Sequence, residues 1–215
     1  MKNFQRARSA EQKLERQNQI IEATEELYET KSYMDISLME IAKKLDFTRG
    51  NMYKYYKSKD EIFLDILARD LYVWKDEVIN KISSKRQIAT DEFARIWSES
   101  IYRNRRMLEL LCILNTVIEK NVSIDKLAEF KKIMYSIYVY ISECVKKQFT
   151  TLSEKDIQMF YDFQMRYAVG LYPAITNNDV QREAIKMSGI PVSREEFVPT
   201  YADFIHIVLN GILQK

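Results

Sequence analysis

The chain has 215 residues, 47% of them apolar, which allows one large domain or a small one joined to a larger one and argues against disorder. Only four glycines and three prolines occur, the first proline at Pro173, so the composition favours an all-α protein over a turn-rich sheet fold. The net charge of +2 carries no global signature of nucleic acid, which leaves the local distribution of charge to decide.

Ser9 to Gln12 reads as a capping box opening a first helix, with Ile20, Ala23, Thr24, Leu27 and Tyr28 at helical spacing and an end near Lys31-Ser32. A second box, Ser37 to Glu40, opens a short helix that ends near Leu45. Asp46-Phe47-Thr48 forms a tight turn, with Thr48 placed to cap a third helix. Ser58 to Glu61 then opens a fourth helix carrying Ile62, Phe63, Ile66 and Leu67 and running into Trp74. Longer helices are expected near 90–103, 105–120, 123–149, 154–175 and 195–213. Thr176 to Ser193, with Asn177, Asn178, Gly189 and Pro191, reads as the one long irregular stretch.

Two short helices joined by a tight turn and preceded by a longer one make a helix-turn-helix unit. Ile41, Ala42, Leu45, Phe47, Met52 and Tyr56 supply its apolar inner face. At about 100° per residue, Met52 and Tyr56 share that face and Gly50 and Lys54 point the other way. Arg49, Asn51, Tyr53 and Tyr55 flank them. An outer face that is polar, basic and aromatic suits the major groove, with Arg49 and Asn51 fitted to base edges and Tyr53, Lys54 and Tyr55 to phosphates. Lys59 stands at a helix start, where free N–H groups already favour a phosphate. Asp46 tolerates a left-handed backbone, though less readily than glycine. Between Lys43 and Lys59 six basic residues face the single acid Asp46. Lys2, Arg6, Arg8, Lys13 and Arg16 concentrate further positive charge near the N-terminus.

The run from Ile41-Ala42-Lys43-Lys44-Leu45 through Thr48-Arg49-Gly50-Asn51-Met52-Tyr53 to Lys57-Ser58-Lys59-Asp60-Glu61-Ile62 resembles the TetR family of transcriptional regulators, the match covering roughly residues 15–65. The resemblance implies an all-α protein with an N-terminal three-helix helix-turn-helix DNA-binding domain over residues 1–60 (the motif itself at about 36–55). A larger helical ligand-binding and dimerisation domain over 61–215 is implied with it. It carries DNA contacts onto Ser37, Thr48, Arg49, Gly50, Asn51, Tyr53 and Tyr55, and a phosphate contact onto Lys59. Two departures stand out: Ser32 and Asp46 each replace a glycine usual in the family, and both are expected to cost some backbone strain. Asn51 stands where a small hydroxyl residue is common.

Beyond the reader, the last helix carries a stripe of Tyr201, Phe204, Ile205, Val208, Leu209 and Ile212. The helix before it, with Phe160 and Tyr161, is apolar on nearly all sides. The resemblance pairs these two helices with their mates in a homodimer, which holds two readers over a near-palindromic double-stranded DNA operator. Trp97, Tyr102, Met107, Leu111, Leu114, Tyr138, Met165 and Tyr172 are the candidates for the pocket of a small apolar or amphipathic effector, and each reads equally well as ordinary core. The first and fourth helices would connect that pocket to the reader.

The resulting expectation is a cytoplasmic repressor released from DNA by a ligand, with no membrane segment, cofactor or metal. The cysteines Cys112 and Cys144 read as reduced core thiols. An enzyme is the main rival reading; a single histidine, His206, and the lack of a phosphate loop or a nucleophile–base set speak against it. A structural interaction module that binds no DNA is the other.

Overall fold

A computed structural model describes the backbone of residues 2–176, 179–190 and 196–214, with side chains from residue 11 onward within those spans. The described residues form ten α-helices and no strand. In order they are α1 (Lys2–Tyr28), α2 (Leu38–Lys44), α3 (Arg49–Met52), α4 (Lys59–Ser83), α5 (Thr90–Arg103), α6 (Arg105–Leu114), α7 (Ile124–Gln148), α8 (Glu154–Ile175), α9 (Asp179–Ser188) and α10 (Phe197–Leu213). Short 3-10 turns at Tyr33–Asp35 and Ile118–Asn121 complete them. The chain packs as two units. One takes the residues up to Arg69 together with Leu114–Lys132, the other Asp70–Ile113 and the residues from Ile133 on.

In the first unit, Ile20, Ile41, Met52, Tyr56, Ile62, Phe63 and Ile66 are buried together. Tyr28 and Tyr33 close on the Phe63 ring at 5.3 and 4.8 Å. α1 starts at Lys2, so Ser9 lies inside the helix and not at its start. Nothing between Lys2 and Ala10 breaks a helix, and Lys, Gln, Arg and Ala all favour one. Ser37 and Thr48 do cap as expected: Ser37 forms a full capping box with Glu40, and Thr48 Oγ1 accepts from Asn51 N at 3.2 Å. Asp46 adopts φ 53° and is the one described non-glycine residue with positive φ. Ser32, by contrast, sits in extended backbone at φ −68°, so glycine is not needed there and no strain follows from its replacement.

In the second unit, α10 packs along α5 and against α8. Phe93, Trp97, Phe149 and Phe160 form one aromatic cluster, with Trp74 edge-on to Trp97 at 5.6 Å. Gln164, fully buried, accepts hydrogen bonds from Trp97 Nε1 (3.0 Å) and from the Tyr201 hydroxyl, and donates to Tyr161 O. Both cysteines are free; burial pushes the Cys112 thiol up to about 11.

Two boundaries differ from expectation. α6 stops at Leu114 rather than near residue 120, because Asn115-Thr116-Val117 combines a backbone competitor with two β-branched residues and Val117 leaves helical geometry at φ −126°. Part of the stretch expected to be irregular is α9. Val180, Ala184 and Met187 follow helical spacing, Asp179 sits in its first turn, and Gly189 follows its end at φ 65°. Asn177, Asn178 and residues 191–193 of that stretch lie outside the described residues.

Replacing Asp46 by glycine should raise stability by up to about 1 kcal/mol, since a left-handed residue with a Cβ costs roughly 1–2 kcal/mol and glycine returns part of that as chain entropy. Thermal unfolding checks it: an unchanged or lowered Tm for Asp46→Gly means the aspartate side chain compensates its own backbone.

Candidate nucleic-acid interface

The reader rests on a turn that only a few residue types accept. α2 ends at Lys44 with Leu45 as its C-cap, Asp46 turns left-handed, and Phe47 N donates back to Ala42 O at 2.8 Å. α3 then spans only Arg49–Met52, and the chain continues through tight turns, Tyr55 N and Tyr56 N both donating to Met52 O. Met52 and Tyr56 are 1% and 2% exposed, which anchors this segment on its inner side. Tyr56 is further tied by its hydroxyl, which donates to Asp65 Oδ2 at 2.8 Å.

On the other side, Ser37, Thr48, Arg49, Gly50, Asn51, Tyr53 and Lys54 are all exposed, and Tyr55 is half-buried. Each of these expected contact residues is thus open to solvent, apart from the partly sheltered Tyr55. The Arg49 guanidinium lies over the Tyr53 ring at 5.5 Å, and Lys54 Nζ donates to Asn51 Oδ1 at 3.0 Å. A Cβ on Gly50 would meet nothing within 4 Å of its own chain, so the fold itself does not require glycine there.

Lys59 differs from the others. Its ammonium donates to Tyr33 O (2.5 Å) and Ile36 O (2.7 Å) and lies 4.3 Å from the Tyr33 ring centre. Burial holds it below the ordinary lysine range, against the pull of Asp60, Asp35 and Glu40. Two of its three donors thus fix the loop before α2.

Sequence reasoning missed the polar clasp around the start of α4. Asp60 and Glu61 are 6% and 5% exposed. Asp60 accepts from the Tyr33 hydroxyl and from Asn121 Nδ2. Glu61 accepts from Lys57 N (2.8 Å), Ser123 Oγ (2.7 Å) and Ser123 N (3.3 Å). Ser58 receives Glu61 N, as its capping role predicts, and donates to Asn121 O. The box was legible; its partners sixty residues away carry no local signal.

The pocket candidates scatter over the second unit and beyond it. Trp97, Met107, Leu111, Leu114 and Tyr172 are buried, and Tyr172 donates to Glu109 Oε1 at 2.8 Å. Tyr102 stacks on Phe197 at 5.5 Å, and Met165 is half-buried. Tyr138 meets Tyr161 edge-on and lines an open cleft of about 500 Å³ with Tyr135, Val139, Ser142 and Ile157; the other seven candidates do not line that cleft. Ser98 Oγ is buried with no hydrogen-bond partner. Of the interface candidates, Phe160, Tyr201, Ile205, Leu209 and Ile212 are at most 6% exposed, so their own unit already uses their side chains. Tyr161, Phe204 and Val208 keep partial exposure, and Phe163 and Ile207, 45% and 69% exposed, join them on α8 and α10.

Among the described residues no helix is long and apolar enough to cross a membrane, and no group of side chains is arranged to hold a metal ion. A family profile described as bacterial regulatory proteins, tetR family, matches residues 20–66, and one described as tetracyclin repressor-like, C-terminal domain, matches residues 68–215. No curated protein matches the chain. Solved structures with a similar fold include Thermus thermophilus FadR, described as a TetR family transcriptional repressor in complex with lauroyl-CoA (17% identity, 91% of this chain and 94% of that one, TM-score 0.58). The fatty acid degradation regulator FadR from Bacillus halodurans is another (13% identity, 91% and 94%, TM-score 0.56).

Burial pushes the Glu61 carboxyl upward, but its hydrogen bonds from Lys57 and Ser123 outweigh that and hold it below the ordinary glutamate range. Such a group stabilises the fold fully above the ordinary range and stops doing so as pH falls through its own lowered value. Glu61→Gln should therefore be less stable than the parent at neutral pH, with the gap closing in acid. Melting curves from neutral to acid pH that stay parallel would remove this carboxylate from the pH response.

Proposed function

The chain belongs to the TetR family of transcriptional regulators, and we propose that it is a repressor that binds a near-palindromic double-stranded DNA operator as a homodimer and is released by a small apolar or amphipathic ligand. The observation that carries this reading is the open face of the capped α3 segment, where Arg49, Gly50, Asn51, Tyr53 and Lys54 are exposed above the buried Met52 and Tyr56. Arg49 and Asn51 read base edges, Gly50 lets the backbone come close, and Ser37, Thr48, Tyr53, Lys54, Tyr55 and Lys59 hold phosphates. The family is one of regulators rather than enzymes. As a bacterial DNA-binding protein it works in the cytoplasm.

We divide the work between residues 1–60, which bind DNA, and 61–215, which dimerise and take the effector. For the dimer, the exposed Phe163 and Ile207 with the partly exposed Phe204 and Val208 support α8 and α10 as the contact, with Tyr167 stacked face to face on Phe204 at 3.8 Å to stiffen it. For the effector, the lauroyl-CoA bound by the Thermus protein makes acyl amphipaths the first class to try. A ligand releases DNA only if it binds one arrangement of the two readers better than the other.

Binding to duplex DNA in a salt series checks the core of this reading. Affinity should fall steeply with salt, with a slope of about 0.9 for each phosphate neutralised. Tyr53→Ala should weaken binding to all sequences alike, while Arg49→Ala should cost about 1–3 kcal/mol and relax base preference at one position. Variants indistinguishable from the parent would move the DNA site elsewhere.

Ile207→Asp combined with Phe163→Glu should turn a dimer into a monomer in light scattering and cost most of the operator affinity. A parent that is already monomeric, or a variant that stays dimeric, would rule this face out.

A further inference from the structure

Nothing in the reading above uses the part of α1 that precedes Ile20, its first buried residue among those whose side chains are described. From Glu11 to Arg16 every side chain is exposed, Leu14 included at 59%. A helical segment with no buried face gains nothing from its own core. Across from it, on the turn that follows α3, stand Lys54 and Tyr55. The polar cleft between them measures about 730 Å³ and is lined by Gln12, Lys13, Glu15, Arg16 and Gln19 on one wall and Lys54 and Tyr55 on the other.

Three cations and one carboxylate line this space, in a chain whose overall charge is only +2. Arg16 is held in place: its guanidinium lies 5.7 Å from the Phe47 ring centre and Nη1 donates to Gln19 Oε1 at 2.7 Å. Phe47 in turn faces Tyr55 at 6.4 Å, so an aromatic layer supports the arginine from beneath. Among the described residues only one of its five donors is engaged. Lys13 forms no ion pair among the described residues. Positive charge gathered in this way without matching carboxylates suits a polyanion. Lys54 belongs both to this cleft and to the outer face of the reader, so an anion seated on α3 continues into it.

We propose that the cleft between α1 and the turn after α3 receives the phosphate backbone of DNA beside the segment that α3 reads, with Lys13 and Arg16 as sequence-independent anchors. The proposal rests on the DNA-binding reading given above and extends its footprint onto α1. Tyr55 and Lys54 bridge the two parts. Glu15 is the opposing charge and limits how tightly the backbone is held.

Phosphate anchors act on any sequence, so a labelled duplex of mixed sequence and about 30 base pairs is a sufficient probe. The parent, Lys13→Ala with Arg16→Ala, and Glu15→Gln are titrated against it by fluorescence anisotropy at several salt concentrations. Two lost contacts should make the salt slope shallower by about 1.8 for each reader engaged and weaken binding roughly tenfold near physiological salt. Glu15→Gln should tighten binding by about twofold, since it removes the one like charge facing the phosphates. All three positions are exposed, so folding is expected to be untouched, and circular dichroism verifies it. If the double variant does not fold, a Glu15→Gln affinity at or below the parent's overturns the proposal by itself. A folded double variant with the parent's slope and affinity overturns it while leaving the DNA-binding reading intact. A parent that fails to bind the duplex overturns both.

Discussion

Asp60 and Glu61 occupy the first turn of α4 with almost no access to water, and each carboxylate is answered by groups from elsewhere in the first unit. A buried carboxylate without partners costs several kcal/mol, so these two make the position of their donors a condition of folding. Tyr33 comes from the 3-10 turn after α1, Lys57 from the end of the reader segment, and Asn121 and Ser123 from the chain just before α7. Lys59, on the same turn, adds a bond to the carbonyl on either side of the loop that leads into α2. The start of α4 is thus the point to which the elements flanking the reader are tied.

The reader itself is small, and its rigidity comes from its ends. α3 has one turn, which is too short to be stable through its own hydrogen bonds. Thr48 caps one end, the left-handed Asp46 sets the approach, and Met52 and Tyr56 plug the inner side. Tyr56 reaches α4 through Asp65, so the reader's far end is fastened to the same helix that carries the buried carboxylates. What remains outside is a face free of structural duty. Gly50 illustrates this, since its own fold leaves open space where a side chain would be.

Much of this unit was legible in the sequence because its signals are local. Ser37 with Glu40, Thr48, and Ser58 with Glu61 announce helix starts within four residues, and the i, i+4 pair Met52 and Tyr56 sorts inner face from outer. The first box, Ser9 with Gln12, misled because a cap signal holds only where the preceding residues leave the helix, and here they continue it. Pattern also failed where the cause lay far along the chain. Nothing near Asp60 points to Asn121, and nothing near Lys59 points to the carbonyls of Tyr33 and Ile36. In the second unit the difficulty was different. An apolar residue on α8 or α10 has the same sequence signature whether it faces its own core, as Phe160 and Tyr201 do, or solvent, as Phe163 and Ile207 do.

The core of the second unit is held by one shared polar contact. Gln164 Oε1 is the shared acceptor of the Trp97 indole and the Tyr201 hydroxyl, and all three side chains are fully buried. Parting these helices would strand two donors, at about 1–3 kcal/mol for each one left unsatisfied. Ser98 Oγ, also buried in this unit, has no hydrogen-bond partner among the described residues. A satisfied buried network such as that of Gln164 yields by exchanging partners and not by gradual loosening.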